Sequence, residues 1–282
     1  MGIPRIFIKK KLRSVVFDLI ESVDDMKVKN AISQSVMIMG GSIASMLLGE
    51  TVNDYDLYFT NVHDAKTIIN YYLKDTDLSV REGVVPNIYG IDEQRLLTDV
   101  NGFLFLSPEK GKKYQPKVVT NNSITLTNNT QLIFRFVGST DEIFKNFDFI
   151  HACNCYKYAA DELLLNSHAL ESLLSKQLYY QGSYYPLTSI FRTRKFIKRG
   201  WNINAGQMLK IMIQASFIDY NNRVQLKEQL MGVDTLFVKR FLDRISLIKG
   251  TLDKDVMTDI IDDVFEKGVY DIHTEDVDEK NW

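Results

Sequence analysis

At 282 residues, with 45% hydrophobic and 25% charged residues and a net charge of −2, the chain has the make-up of a globular protein, long enough for one large or two modest domains. That balance excludes a globally basic nucleic-acid binder, so any polyanion contact has to come from a local patch. No run of roughly 18 apolar residues offers a membrane span, and the start, MGIPRIFIKKKLRS, lacks the apolar core of a signal peptide, which together predict a cytoplasmic protein without a membrane partner.

Leu12, Val15, Val16, Leu19, Val23 and Met26 recur at helical spacing and predict a helix over 11–31. Lys9, Lys10, Lys11 and Arg13 at its start read either as a solvated helix end or as a phosphate contact.

The next stretch, VMIMGGSIASMLLGETVNDYDLYF over 36–59, reads as strand, glycine turn, short helix and a second strand. Successive side chains of a strand point to opposite faces, which puts Asp54 and Asp56 on one face and Tyr55 and Leu57 toward the core. Two carboxylates so placed suit Mg²⁺, a hard cation that takes oxygen ligands and completes its shell with water and substrate phosphate. Gly40 and Gly41 carry no side chain to keep a triphosphate off the backbone, Ser42 can cap the helix or bond a phosphate oxygen, and the helix start offers unpaired N–H groups. Either motif alone reads as a tight turn or as an edge strand with solvated acids. Together on successive elements they predict a metal and nucleotide site.

A helix over 63–73 follows, with His63 at its start. From Val80 to Phe136, short runs such as NIYG, GFLFLS, SITLTNN and TQLIFRF between Gly, Pro, Asn and Lys clusters predict strands and hairpins. One hairpin should turn at Asn128-Asn129, with Leu132, Phe134 and Phe136 alternating against Ile133 and Arg135. EKGKKY, with Lys110, Lys112 and Lys113, reads as a loop. Asp148 stands between Phe147 and Phe149; a carboxylate in apolar surroundings is either a cap or a functional acid, because an unpaired buried charge is costly. His151, Asn154, Cys153 and Cys155 read as packing and capping groups or as pocket lining. A bridge between two cysteines separated only by Asn154 would be strained, so no disulfide is expected.

From Lys157 onward the pattern is mainly helical, which places a head domain at 1–156 and a helical domain at 157–282. Arg192, Arg194, Lys195, Lys198 and Arg199 make the densest basic patch, either a solvated helix face or a contact for triphosphate or acceptor strand, since guanidinium groups match phosphate geometry. The acidic end TEDVDEKNW reads as frayed.

Three of these segments, in the same order, resemble the DNA polymerase β nucleotidyltransferase superfamily and, within it, the bacterial CCA-adding and poly(A) polymerase group. GGSIASMLLG followed by DYD resembles that group's G-G-x-x-R-D-x-L-L-G and D-x-D, with Ala44-Ser45 in place of Arg-Asp. STDEIFKNFDFIHACNCYKY resembles L-x-x-R-R-D-F-T-I-N-A-x-A-Y through Ile143, Asp148, Phe149 and Tyr156, with Asn146 and Phe147 replacing both arginines and Ala152 the asparagine. PLTSIFRTRKFIKRGWNI resembles the group's neck helix through Pro186, Arg194, Gly200, Trp201 and Ile203. The resemblance implies an α+β protein: a polymerase-β-like head with a mixed sheet, then a mainly helical C-terminal domain. It implies catalysis by Asp54, Asp56 and Asp148, with Asp148 either a third metal ligand or a group that positions sugar or phosphate, and two Mg²⁺ ions. The nucleoside triphosphate would lie against Gly40, Gly41, Ser42, Arg192, Arg194, Lys195 and Lys198. The implied reaction moves an NMP to an acceptor hydroxyl, by resemblance an RNA (tRNA-like) 3′ end; a protein or small-molecule acceptor is the enzymatic alternative, and a binding or assembly protein on the same fold is the non-enzymatic one. The departures suit a phage or mobile-element branch, and the group's base-reading E-D-x-x-R motif is absent, which leaves the nucleotide open.

Overall fold

The computed structural model describes residues 4–74, 103–120, 122–220, 222–230, 241, 244, 245, 247 and 254–266. The N-terminal helical run divides in two. Helix α1, Arg5–Glu21, buries Ile8, Leu12, Val15, Val16, Leu19 and Ile20 on one stripe, and α2 spans Met26–Ser35. The single helix expected over 11–31 breaks because Asp25 caps α2, accepting the Lys27 and Val28 N–H groups at 2.7 and 3.3 Å.

Strand β1, Val36–Met39, is buried on both faces and pairs antiparallel with β2, Tyr55–Phe59; between them lies α3, Gly41–Leu48. Helix α4, Val62–Leu73, is capped by Asn61 and keeps His63 exposed in its first turn. The expected strands at 75–102, NIYG included, lie outside the described residues. Strands β3 (Phe103–Phe105), β4 (Pro116–Thr120), β5 (Ser123–Leu126) and β6 (Thr130–Val137) then run as antiparallel neighbours. After α5, Thr140–Phe144, strands β7 (Cys155–Lys157) and β8 (Glu162–Leu164) close the other edge, giving the order β3-β4-β5-β6-β2-β1-β7-β8. The sheet is mixed because β2 and β6 pair in parallel while the rest are antiparallel.

Ile38, Leu57, Phe59, Leu132 and Phe134 meet α1, α2 and α4 in the main core, whereas Met37, Met39, Tyr58 and Ile143 pack on the opposite face. Asn128 and Asn129 have φ of 64° and 52°, left-handed values within the three-residue connection 127–129 between β5 and β6, where the Asn-Asn reading expects the turn. The alternation expected along β6 fails at its end. The β2/β6 register shifts between Leu57 and Phe59, and Phe136 joins Ile133 against the Met37 and Tyr58 cluster rather than following Leu132 and Phe134.

Past residue 157, the run read as helix is first the strand β8, so the sheet extends to Leu164 before the helical part begins. Asp161 ties this hairpin to α1, bound by Lys9 at 2.9 Å, Arg13 at 3.2 Å and the Tyr156 hydroxyl at 2.8 Å. Helices α6 (Ser167–Ser175), α7 (Pro186–Lys198), α8 (Ala205–Ala215), α9 (Arg223–Gln229) and α10 (Lys254–Glu266) follow. Leu187 and Phe191 of α7 share a core with Leu226, Met257 and Ile260. The class is α+β, a mixed-sheet head followed by a mainly helical part. Among the described residues no helix is long and apolar enough to cross a membrane.

Replacing Asn129 by Val, which resists positive φ, should lower unfolding free energy by about 1–2 kcal/mol in urea titrations, while Asn129→Gly should be neutral or stabilising.

Candidate active site

The site begins where β1 ends. Gly40 has φ 88° and ψ −149°, a conformation L-residues avoid, and a Cβ there would stand 3.0 Å from Oδ2 of Asp56. Glycine thus lets the Asp56 carboxylate lie against the backbone at the start of α3. A Cβ at Gly41 would meet nothing within 4 Å. Ser42 is buried, and its Oγ has no hydrogen-bond partner among the described residues.

Strand β2 delivers the acids. Tyr55, Leu57 and Phe59 pack in the main core, so Asp56 shares the opposite face with Tyr58, and Asp54 stands exposed just before the strand. The Asp56 carboxyl is pushed up to about 7, first by burial and then by the like charge of Asp54, with Arg192 opposing. The Tyr58 hydroxyl is also raised, again chiefly by burial.

Asp148 is buried and engaged. Its Oδ1 accepts the Phe149 N–H at 3.1 Å, and Oδ2 accepts Ser189 Oγ at 3.2 Å and Arg192 Nη1 at 3.0 Å. Among the described residues no group of three or more His, Cys, Asp or Glu side chains is placed to hold one metal ion. Asp148, the third acid that the resemblance implies, is instead engaged by two side chains of α7. Asp54 and Asp56 remain a fitting donor set for Mg²⁺, which needs only one or two carboxylates beside water and phosphate. The raised Asp56 carboxyl marks a charge conflict that a divalent cation would relieve.

The basic patch on α7 divides. Arg192 joins Asp148 near the acid pair, Arg194, Lys195 and Lys198 are exposed along the helix, and Arg199 forms an ion pair with Glu50 just beyond α3. Sequence reasoning missed Ser189 and Tyr58, whereas around Thr130 and Gln131 the resemblance marks the strand on which the related enzymes carry a further acid and this chain has none. Gln131 lies beside Asp56 in the parallel register and donates through Nε2 to Ser123 Oγ at 2.9 Å and Thr125 Oγ1 at 3.4 Å. Its pairing with Asp56 has no local signal, since it joins distant segments.

His151 and its neighbours are packing groups. The imidazole lies 4.5 Å from the Phe196 ring and 4.7 Å from Trp201, with Nδ1 unpartnered, and burial pushes its pKa down to about 4. Cys153 and Cys155 are free and buried, and burial raises their thiols to about 11 and about 12. Asn154 is buried and joins the His151 carbonyl to the Asn166 N–H. Ala44 packs with Phe149, Leu173, Leu178, Tyr180 and Trp201, an apolar cluster at the position where the resembled enzymes carry arginine.

Strand, glycine turn, helix and acid-bearing strand in a mixed sheet, followed by helices that bring Arg192 toward the acids, define an α+β protein with a candidate acid site at one end of its central strands. Residues 7–176 match the Gabija anti-defense 2 protein family, and the chain belongs to it. The chain is 22% identical over 198 residues to Gabija anti-defense 2 of Bacillus phage SPbetaL7, a match covering 70% of this chain and 41% of that relative's length. Among solved structures it is similar to the Thermotoga maritima CCA-adding enzyme complexed with tRNA, at 14% identity and a TM-score of 0.40, over 93% of this chain and 63% of that one. It is also similar to the Bacillus stearothermophilus CCA-adding enzyme in complex with CTP, at 13% identity and a TM-score of 0.35, over 73% and 47%.

Two consequences can be measured. Gly40→Ala should cost about 1–3 kcal/mol of stability from backbone strain and displace the Asp56 carboxylate, seen as a lowered urea midpoint and weaker Mn²⁺ binding. Folded His151 takes up its proton at about 4 rather than near 6.5, so between those values the unfolded chain binds more protons and stability falls with falling pH. His151→Phe, which keeps the aromatic packing, should remove about 2 kcal/mol of the stability lost between pH 7 and pH 4.5, read from urea midpoints.

Proposed function

We propose that this protein is a nucleotidyltransferase that binds a nucleoside triphosphate between the Gly40–Ser42 turn and the Asp54–Asp56 strand and moves its NMP to an acceptor hydroxyl. The observation that carries this reading is the convergence of an acid pair in charge conflict, a glycine whose missing Cβ leaves room for one of those acids, and a buried serine hydroxyl without a partner among the described residues. Asp54 and Asp56 would hold Mg²⁺, which when bound neutralises charge on the phosphates. Gly40 lets the triphosphate approach the backbone, Ser42 Oγ donates to a phosphate oxygen, and the first N–H groups of α3 add further donors. Arg192 reaches the phosphates from α7. The acceptor oxygen attacks the α-phosphorus in line; the new O–P bond forms as the bond to pyrophosphate breaks, so positioning and charge compensation supply most of the rate.

Two acceptor readings differ in their support. The resemblance to CCA-adding enzymes favours an RNA 3′ end. The family's description as Gabija anti-defense favours an acceptor within that defence system, whose modification by an NMP would disable it. A protein that counters the defence by binding alone on this fold is the non-enzymatic reading.

Incubation with each of the four labelled NTPs, Mg²⁺ and either total RNA or lysate from cells carrying the defence system should label one macromolecule from one NTP. Asp54→Ala with Asp56→Ala should reduce labelling by at least about 100-fold while the melting curve is retained, since removing two repelling carboxylates relieves a charge conflict. Absence of labelling by the unaltered protein in every lane overturns the enzymatic reading in favour of binding.

A further inference from the structure

Both oxygens of Asp148 are committed to places outside the acid pair. Oδ1 holds the Phe149 N–H, and Oδ2 receives Ser189 and Arg192 from one face of α7, where positions three apart are neighbours. The Asp148 side chain is 10% exposed and that of Arg192 is 43% exposed, so the carboxylate is the anchor inside the protein and Arg192 the partly exposed side chain it holds. Arg192 also acts electrostatically on Asp56 and Tyr58, which puts its charge within reach of the acid pair. The segment leading into Asp148 supplies no competing cation at positions 146 and 147: Asn146 binds the Glu142 carbonyl at 2.9 Å, and the Phe147 ring lies 5.8 Å from that of Tyr58.

We propose that Asp148 is a positioning residue which, with Ser189, fixes the Arg192 guanidinium beside the Asp54–Asp56 pair, so that α7 contributes a stationary positive charge favouring a polyphosphate and opposing the bare cation. This rests on the reading of the acid pair as a cation and nucleotide site. A fixed positive charge next to two carboxylates lowers their affinity for a divalent ion and raises the affinity for phosphate, so its removal moves the two affinities in opposite directions. A residue that merely holds the fold together would weaken both. Asp148 in turn acts on the polyphosphate only through Arg192.

The probes are Mn²⁺ alone, followed by electron paramagnetic resonance, and inorganic tripolyphosphate with Mg²⁺, followed by calorimetry, which bypasses the identity of the base. Arg192→Gln should weaken tripolyphosphate about 10-fold or more while Mn²⁺ binds as well or more tightly. Arg192→Lys, which restores charge without the planar fork, should recover part of the tripolyphosphate affinity. Asp148→Asn should weaken tripolyphosphate several-fold, and in the Asp148→Asn/Arg192→Gln double variant should add nothing to the loss from Arg192→Gln alone. Should Asp148→Asn fail to fold, Ser189→Ala, which removes one hydrogen bond to the anchor, should give a smaller loss of the same sign. Parallel loss of Mn²⁺ and tripolyphosphate in Arg192→Gln, or additive losses in the double variant, overturns the proposal. An unaltered protein that binds neither probe overturns the site reading as well, which separates the two failures.

Discussion

The Asp56 carboxylate is the constraint on which the rest of this molecule depends. It is carried by a strand whose other face is deep in the core, held beside the like charge of Asp54 and pressed against the backbone of Gly40. Each condition is costly alone: a charged group half out of water, a repelling neighbour, and a backbone in a conformation open to glycine. They persist together because β1 and β2 are locked in register, Met39 opposite Asp56, with helices packed behind them. A glycine-only backbone beside a carboxylate in charge conflict, fixed by its scaffold, is what a ligand site requires before the ligand arrives.

The second organising contact is the pair between Asp148 and Arg192, which joins the end of the sheet region to the helical part. Burying a carboxylate is tolerable when its lone pairs are taken up, and here a backbone N–H, a hydroxyl and a guanidinium do so. That engagement turns Asp148 toward α7. It also gives physical meaning to the substitutions at 44, 146 and 147. Ala44 lets an apolar cluster of Phe149, Tyr180 and Trp201 close behind α3, Phe147 supplies an aromatic wall against Tyr58, and the positive charge near the acids comes from α7.

Local chemistry was readable wherever a few consecutive residues carried it. The Asn128-Asn129 turn, the glycine turn before α3 and the alternation through Tyr55, Asp56 and Leu57 all follow from backbone preference and side-chain period. Misreadings fell where a polar residue redirects the chain against its apolar pattern. Asp25 ends a helical periodicity that continues through Met26, and β8 hides in ELL because its stability comes from pairing with β7. Phe136 left its expected face because the bulge between β2 and β6 arises from pairing, and no alternation within one strand reveals it.

By itself, then, the sequence determined the strand–turn–helix–strand unit and the outward face of Asp56, since both depend on backbone preferences and the two-residue strand period, while the α+β class was legible through the resemblance of its motifs to a known family. Only the tertiary structure decided which cation of the basic patch reaches those acids, that Asp148 binds Arg192, and that Gln131 lies beside Asp56. These are contacts between segments far apart in the chain, set by the parallel pairing of β2 with β6 and by the seating of α7 against the sheet region, and no local rule of spacing encodes the partner of a charge that folding brings from elsewhere.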